Sequence, residues 1–233
     1  MKLDINKHKF FLLQILKDIF SDNDLSVSLG FKGGTAHMLF HDLPRFSVDL
    51  DFNLLNVDKT EVVYSKVKGL LLKHGSIRDE AIKHFGLILV LDYGANERTL
   101  KIEISGRTFP DTYEIRNYLG INMKVMTKSD LFTHKICALT DRPQLAGRDI
   151  FDLYFFLNDK TPLNLNLFEH RMKTDLQEYF EKCITLIERT SESTILNSVG
   201  QMIDSEMKIF VKKHMKTETL QLLKIFKEFP LYI

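Results

Sequence analysis

Apolar side chains recur at helical spacing over residues 4–20, at Phe10, Leu13, Leu16, Ile19 and Phe20, which predicts a helix with one buried stripe. The polar run Ser21, Asp22, Asn23, Asp24 ends it. Residues 27–31 read as a short strand running into Gly33 and Gly34, after which Ala36, Met38 and Leu39 resume helical spacing. A short helix is therefore predicted over 35–41, with Pro44 as its break. Over 47–54 the pattern becomes strict alternation. Val48, Leu50 and Phe52 face one way, and Ser47, Asp49, Asp51 and Asn53 face the other. A second amphipathic helix is expected over 58–74, with Asp58 as its N-cap. Strands over 87–93 and 98–105 follow, joined at Gly94, Ala95, Asn96 and Glu97 by residues with hairpin chemistry. A further short pair spans 113–118 and 121–125 around Leu119 and Gly120.

The texture changes after Thr127. Ser129 is expected to cap a helix running to residue 140, residues 143–147 to form a break, and 148–157 to be helical again. From 166 to 229 the pattern is helical, with breaks at 190–193 and at Gly200. The chain thus divides into an α/β first half, residues 1–126, and a helical second half, residues 127–233, with no internal repeat or low-complexity tract.

Composition narrows the class. The 233 residues suffice for one large domain or two small ones, and 44% hydrophobic with 27% charged residues is ordinary for a globular protein, which excludes domain-scale disorder. With 32 basic against 31 acidic residues the chain has no general basic coat, although a local basic groove remains compatible with that sum. Cys137 and Cys183 lie far apart with no C-x-x-C, so they read as buried free thiols of a reducing compartment. The first 20 residues lack the apolar core of a signal peptide, and no run approaches the roughly 20 apolar residues of a membrane span. A soluble, cytoplasmic protein is expected.

The candidate chemistry lies in Lys32-Gly33-Gly34-Thr35 and then Arg45-x-Ser47-x-Asp49-x-Asp51-Phe52. Positions i and i+2 of a strand share a face, so Asp49 and Asp51 project side by side and repel unless a cation lies between them. Oxygen ligands select a hard cation, Mg²⁺ or Mn²⁺, held by carboxylates together with substrate phosphates. A lone D-x-D is more often a solvent-facing strand. Here it follows Gly33 and Gly34, whose backbone N–H groups can approach a polyphosphate closely, and Thr35, whose hydroxyl and following helix add donors. An NTP carried by a divalent metal fits both motifs. Glu103, between Ile102 and Ile104 on a strand, is the candidate third carboxylate for a second metal position, with Lys101 and Ser105 on its face; otherwise it is a solvent-facing edge residue. Arg45 and Ser47 either contact phosphate or fix the loop before the strand.

The run of these motifs, followed by Lys135 and by RDIFDLYFFL at 148–157, resembles the AbiEii/AbiGii toxin family of the nucleotidyltransferase superfamily that includes DNA polymerase beta. The resemblance spans roughly Phe31 to Leu157. It implies an α+β nucleotidyltransferase-type fold, a mixed β-sheet flanked by helices, with a helical C-terminal domain completing the nucleotide cleft. It assigns Lys135 to the triphosphate, where an ammonium offsets charge on leaving pyrophosphate. It also favours functional roles for Asp149 and Asp152, which are neighbours on one helix face, with Arg148 or Arg142 steadying phosphate. The structural alternatives are a surface lysine, a helix cap at Asp149, and an Arg partner for Asp152. The family further implies ATP or another NTP as substrate, an RNA acceptor such as tRNA, and a cognate antitoxin. Transfer to a small molecule or a protein is the enzymatic rival, and a catalytically silent binding module is the rival of another class.

Overall fold

The computed structural model describes residues 3–95, 97–141 and 145–233. Asp4 accepts a hydrogen bond from the Lys7 amide and opens α1 (Ile5–Ser21). Its buried face is His8, Leu12, Ile15, Leu16 and Ile19, rotated from the predicted stripe; Phe10 is 57% exposed. The polar cluster does end α1, but Asp22 also accepts from the Asp24 and Leu25 amides and starts α2 (Asn23–Ser28). Val27 and Ser28 are therefore helical, and β1 is Leu29–Lys32. α3 (Gly33–Phe40) follows directly, then β2 (Leu50–Leu54). Asp58 is not a helix cap. Asn56 accepts from the Asp58 amide and caps a 3₁₀ turn, Val57–Lys59, that leads into α4 (Thr60–Leu71).

Next comes β3 (Ser76–Lys83), which the apolar pattern did not predict because its side chains are mostly exposed and half of them are charged. β4 (Gly86–Asp92), β5 (Leu100–Ser105), β6 (Tyr113–Tyr118) and β7 (Ile121–Met126) lie where the alternation placed strands. In the β4–β5 turn the Glu97 amide donates to the Gly94 carbonyl, while Asn96 lies outside the described residues. The described strands form one 7-stranded sheet in the order β3-β4-β5-β2-β1-β7-β6. The β1–β7 and β2–β5 pairs are parallel and the others antiparallel, so the sheet is mixed.

The helical part comprises α5 (Lys128–Cys137), α6 (Gly147–Asn158), α7 (Leu165–Met172), α8 (Leu176–Arg189), α9 (Glu192–Val199), α10 (Ser205–Phe210) and α11 (Lys216–Glu228). A π-helical turn, Val211–Met215, joins the last two. Ser129 does not cap α5; it lies inside the helix, and its carbonyl accepts from the Thr133 hydroxyl. Of the expected break, residues 143–144 lie outside the described residues, as does Arg142. Gly147 is already helical, and a Cβ there would stand 2.6 Å from Ile195 Cα.

Contacts group the chain into two units. The first is Met1–Asp42, Phe46–Thr108 and Thr112–Met126; the second is Leu43–Arg45, Phe109–Asp111 and Thr127–Ile233. In the first, Leu50 and Phe52 of β2 are fully buried, with Phe31 and Phe52 ring centroids 5.4 Å apart. Burying side chains of this size contributes about 1.5–3 kcal/mol each, and it pins the other face of β2, carrying Asp51, outward. The second unit packs Phe132 against Phe156 and Phe226, with both centroid separations 5.5 Å. Cys137 and Cys183 are free and buried there, and burial pushes both thiols up to about 12. Among the described residues no helix is long and apolar enough to cross a membrane.

Candidate active site

β1 leads into α3 through Gly33, whose φ is +79°. A Cβ there would meet Asp51 Oδ2 at 2.4 Å, so glycine is required both by the backbone angle and by the closeness of the carboxylate. Gly34 sits in the first turn of α3, where amides have no partner within the helix. Thr35 behaves differently from the sequence expectation. It is fully buried, and its hydroxyl donates to the Asp49 carbonyl at 2.5 Å, fixing the approach to β2 instead of offering a donor to a ligand.

Asp49 immediately precedes β2, and Asp51 is its second residue. Parallel pairing sets Asp51 beside Glu103 of β5, bringing the third expected carboxylate onto the same face from a segment 52 residues away. Burial raises the Asp51 carboxyl above the usual range, and the neighbouring Asp49 and Glu103 charges add to this while Lys101 and Lys32 oppose it. Among the described residues no three His, Cys, Asp or Glu side chains already converge as a metal-binding group. A cation already lies among the carboxylates: Lys101 Nζ is 2.9 Å from Glu103 Oε2 and 3.9 Å from Asp49 Oδ2. Burial works against the Glu103 charge, and the Lys101 hydrogen bond outweighs it, holding that carboxyl below its ordinary range.

Two supporting residues had no assigned role in the sequence. Lys101 shares a strand face with Glu103, and that i, i+2 spacing was the available signal. His8 left only a polar residue on an apolar helix face. It is fully buried, and its Nε2–H donates to the Val48 carbonyl at 2.8 Å while Nδ1 accepts from the Tyr93 hydroxyl at 2.6 Å. Burial lowers its pKa, so a neutral imidazole ties α1 to the segment entering β2. Ser47 is buried in that segment, its amide 3.3 Å from Met38 Sδ.

The second unit gathers the remaining candidates. Arg45 Nε and Nη2 donate to the two oxygens of Asp152 at 2.6 and 2.8 Å, a bidentate pair with both side chains buried. Lys135 Nζ stands 2.9 Å from Asp152 Oδ2 and 2.9 Å from Asp149 Oδ1. Burial disfavours the ammonium, but Asp152 and Asp149 outweigh it and raise its pKa. Burial likewise disfavours the Asp152 carboxylate, and Arg45 and Lys135 hold it well below the usual range. Asp152 therefore positions Arg45 and Lys135. Lys135 keeps 19% of its side chain exposed, so it is not the surface lysine of the alternative. Arg148 is half-buried in the first turn of α6, and the Arg partner of Asp152 is Arg45.

The crystal structure of JHP933 from Helicobacter pylori is 23% identical over 98% of this chain and 97% of its own, with a TM-score of 0.56. A second H. pylori structure, of a candidate nucleotidyltransferase, is 19% identical over 100% of both chains, with a TM-score of 0.57. At these identities they establish the fold, which is of nucleotidyltransferase type. A comparison with curated protein sequences finds no match. The family model of the nucleotidyl transferase AbiEii toxins, of type IV toxin–antitoxin systems, matches residues 14–228, so the chain belongs to that family.

Proposed function

We propose that the protein transfers a nucleoside monophosphate from an NTP to a hydroxyl of RNA, with tRNA as the expected form, and acts in the cytoplasm as a toxin restrained by a cognate antitoxin. The supporting observation is the single sheet face on which Asp51 and Glu103 lie in register with Asp49 beside them and Gly33 turned against Asp51. Oxygen donors of this kind fit a hard divalent cation, Mg²⁺ or Mn²⁺, and the raised pKa of Asp51 marks a charge deficit that such a cation would relieve. Asp49, Asp51 and Glu103 would hold it, and when bound it neutralises phosphate charge that these carboxylates would otherwise repel.

The amides of Gly33 and Gly34 receive the triphosphate tail. The acceptor hydroxyl oxygen bonds to the α-phosphorus, the bond to the β-phosphate bridging oxygen breaks, and pyrophosphate leaves with that electron pair. The acceptor proton passes to Glu103 and on to water. Lys135, oriented by Asp149 and Asp152, supplies positive charge to the departing pyrophosphate. The test incubates purified protein and labelled NTP, with and without chelator, with total RNA, cell protein or aminoglycosides. Chelator-sensitive label in RNA is the expected result. Label confined to protein or to aminoglycoside overturns the RNA acceptor, and label in none of the three overturns the transfer activity.

A further inference from the structure

Beyond Glu103 the open face of the sheet continues across β4 and β3. Ile88 of β4 is paired with Glu103, Gly86 with Ser105, and Lys83 of β3 with Gly86. Matched positions share a face, so a path leads from the Glu103 carboxylate over the half-exposed Ile88 to Lys83 at the β3–β4 turn. A cleft of about 310 Å³ lies there, lined by Lys83, Phe85, Ile88, Glu103, Ser105 and Arg107. Gly86 lets the β3–β4 turn lie close against β5, since its φ is +154° and a Cβ would stand 2.3 Å from the Ile104 carbonyl oxygen. Phe85 is 56% exposed, and the Arg107 guanidinium lies over its ring, 5.2 Å from the centroid. Among the described residues Lys83 and Arg107 make no salt bridge, although the Lys83 charge lies near enough to Glu103 to help hold that carboxyl below its ordinary range.

An exposed ring flanked by two cations that make no salt bridge is the arrangement that single-stranded nucleic acid uses, a base on the aromatic face and phosphates on the charges. The volume is at the low end for ligand clefts, which suits a terminal nucleotide and not a duplex. Its place in the sheet agrees. In the order β4-β5-β2-β1, the cleft and the Gly33 turn lie on opposite sides of the Asp51 strand. In-line displacement requires the entering hydroxyl and the leaving pyrophosphate on opposite sides of phosphorus. With the triphosphate tail at Gly33 and Gly34, the acceptor arrives from the Glu103 side.

We propose that this cleft seats the terminal nucleotide of a single-stranded nucleic-acid acceptor, with its base on Phe85 and its phosphates on Lys83 and Arg107. The direction of approach rests on the transfer reaction proposed above; the chemistry of the cleft does not. Fluorescence anisotropy with the full chain and short labelled oligonucleotides (single-stranded RNA, the same sequence as DNA, and the duplex) over a range of salt provides the test. Phe85→Ala is expected to weaken single-strand binding by about 5- to 100-fold, with Phe85→Tyr restoring it because the ring remains. Lys83→Ala with Arg107→Ala should flatten the log–log salt dependence by about 1.4, the loss of two phosphate contacts on a single strand. Loss for RNA and DNA alike supports recognition of the shared single-stranded chemistry; loss for RNA alone supports it with a 2′-hydroxyl contact added. Calorimetric titration of the wild type with NTP and Mg²⁺ tests the transfer proposal separately. Should NTP fail to bind while the variants still lose RNA, the cleft stands and the transfer proposal falls. Unchanged affinity and salt slope in the variants overturn the cleft, as does a wild type that binds no single strand and labels only protein or small molecules.

Discussion

Asp152→Asn is the sharpest probe of the second unit because it keeps the side chain's shape and removes one charge from a buried array. Arg45 and Lys135 face Asp149 and Asp152 at 2.6–2.9 Å, two cations against two carboxylates. The variant leaves two cations with one carboxylate, and an amide nitrogen replaces one of the oxygens that now accept from Arg45 or Lys135. Breaking a buried pair of this kind costs about 3–5 kcal/mol. At about 2–4 °C per kcal/mol for a chain of this size, the melting temperature near neutral pH should fall by about 6–20 °C. The effect has a defined pH window. The Asp152 carboxyl lies well below its unfolded value in the native state, so its stabilisation is fully present above about pH 4–5 and is lost as pH falls toward the native value. The gap between wild type and variant should therefore narrow under acid, by up to about 1.4 kcal/mol per pH unit. Melting curves followed by circular dichroism at neutral and acidic pH measure both quantities. A variant melting within about 2 °C of wild type at neutral pH, well under the range above, would refute the buried network, and a gap unchanged by acid would refute the assignment of the charge to Asp152.

Asp51→Asn should lower nucleotidyl transfer by at least about 100-fold, while the metal-free protein melts no lower than wild type because repulsion from Asp49 is relieved. In a growth assay the same variant, expressed solubly, should no longer arrest cells; continued arrest would separate toxicity from transfer. Gly33→Ala forces a φ of +79° on a residue with a Cβ, a strain of about 1–2 kcal/mol, and pushes on Asp51, so calorimetry should show NTP binding lost before the fold is. Lys101→Met removes the ammonium between Glu103 and Asp49 and should lower thermal stability without metal, with Mg²⁺ restoring it; a variant indifferent to Mg²⁺ would argue against metal at these carboxylates. Lys135→Ala should raise the apparent KM for NTP by about tenfold or more and lower the melting temperature too, since its ammonium is shared by two buried carboxylates.

What the sequence disclosed was local. The D-x-D pair follows from strand periodicity over five residues, and the Gly-Gly turn from the halt of one pattern and the start of another. Glu103 was legible only as a carboxylate on the polar face of a strand; its place beside Asp51 depends on which strands pair. β3 was missed because a mostly exposed edge strand carries no apolar alternation. The caps expected at Asp58 and Ser129 were displaced by Asn56 and Thr127, in each case two residues earlier. The bond from Thr35 to Asp49 and the clasp of Arg45 by Asp152 join residues 14 and 107 positions apart. Arg45 was ambiguous between phosphate binding and a structural role because its acidic partner lies in a distant helix.

That dependence on pairing also accounts for where the cleft beside Phe85 lies. β2 and β5 are parallel neighbours, and parallel neighbours cannot be joined by a tight turn; the chain must cross over before it returns in the same direction. In this fold the crossover contains α4, β3 and β4, and β4 then pairs antiparallel with β5. The strand that delivers Glu103 to Asp51 thus follows directly on a hairpin lying along its far edge. The turn of that hairpin carries Phe85, with Lys83 at the end of β3 and Arg107 just past β5. Glu103 and the cleft are consequences of one topological choice. A substitution that shifted β4 against β5 by one residue would turn Ile88 inward and move Lys83 away from the carboxylates together, because register changes reverse faces along the whole strand. Shortening the hairpin by two residues would instead preserve face and remove Phe85 and its neighbour. Such a variant should keep NTP binding at Gly33 and Asp51 while losing single-stranded acceptor, and loss of both together would show that the two halves of the site do not separate along the sheet as proposed.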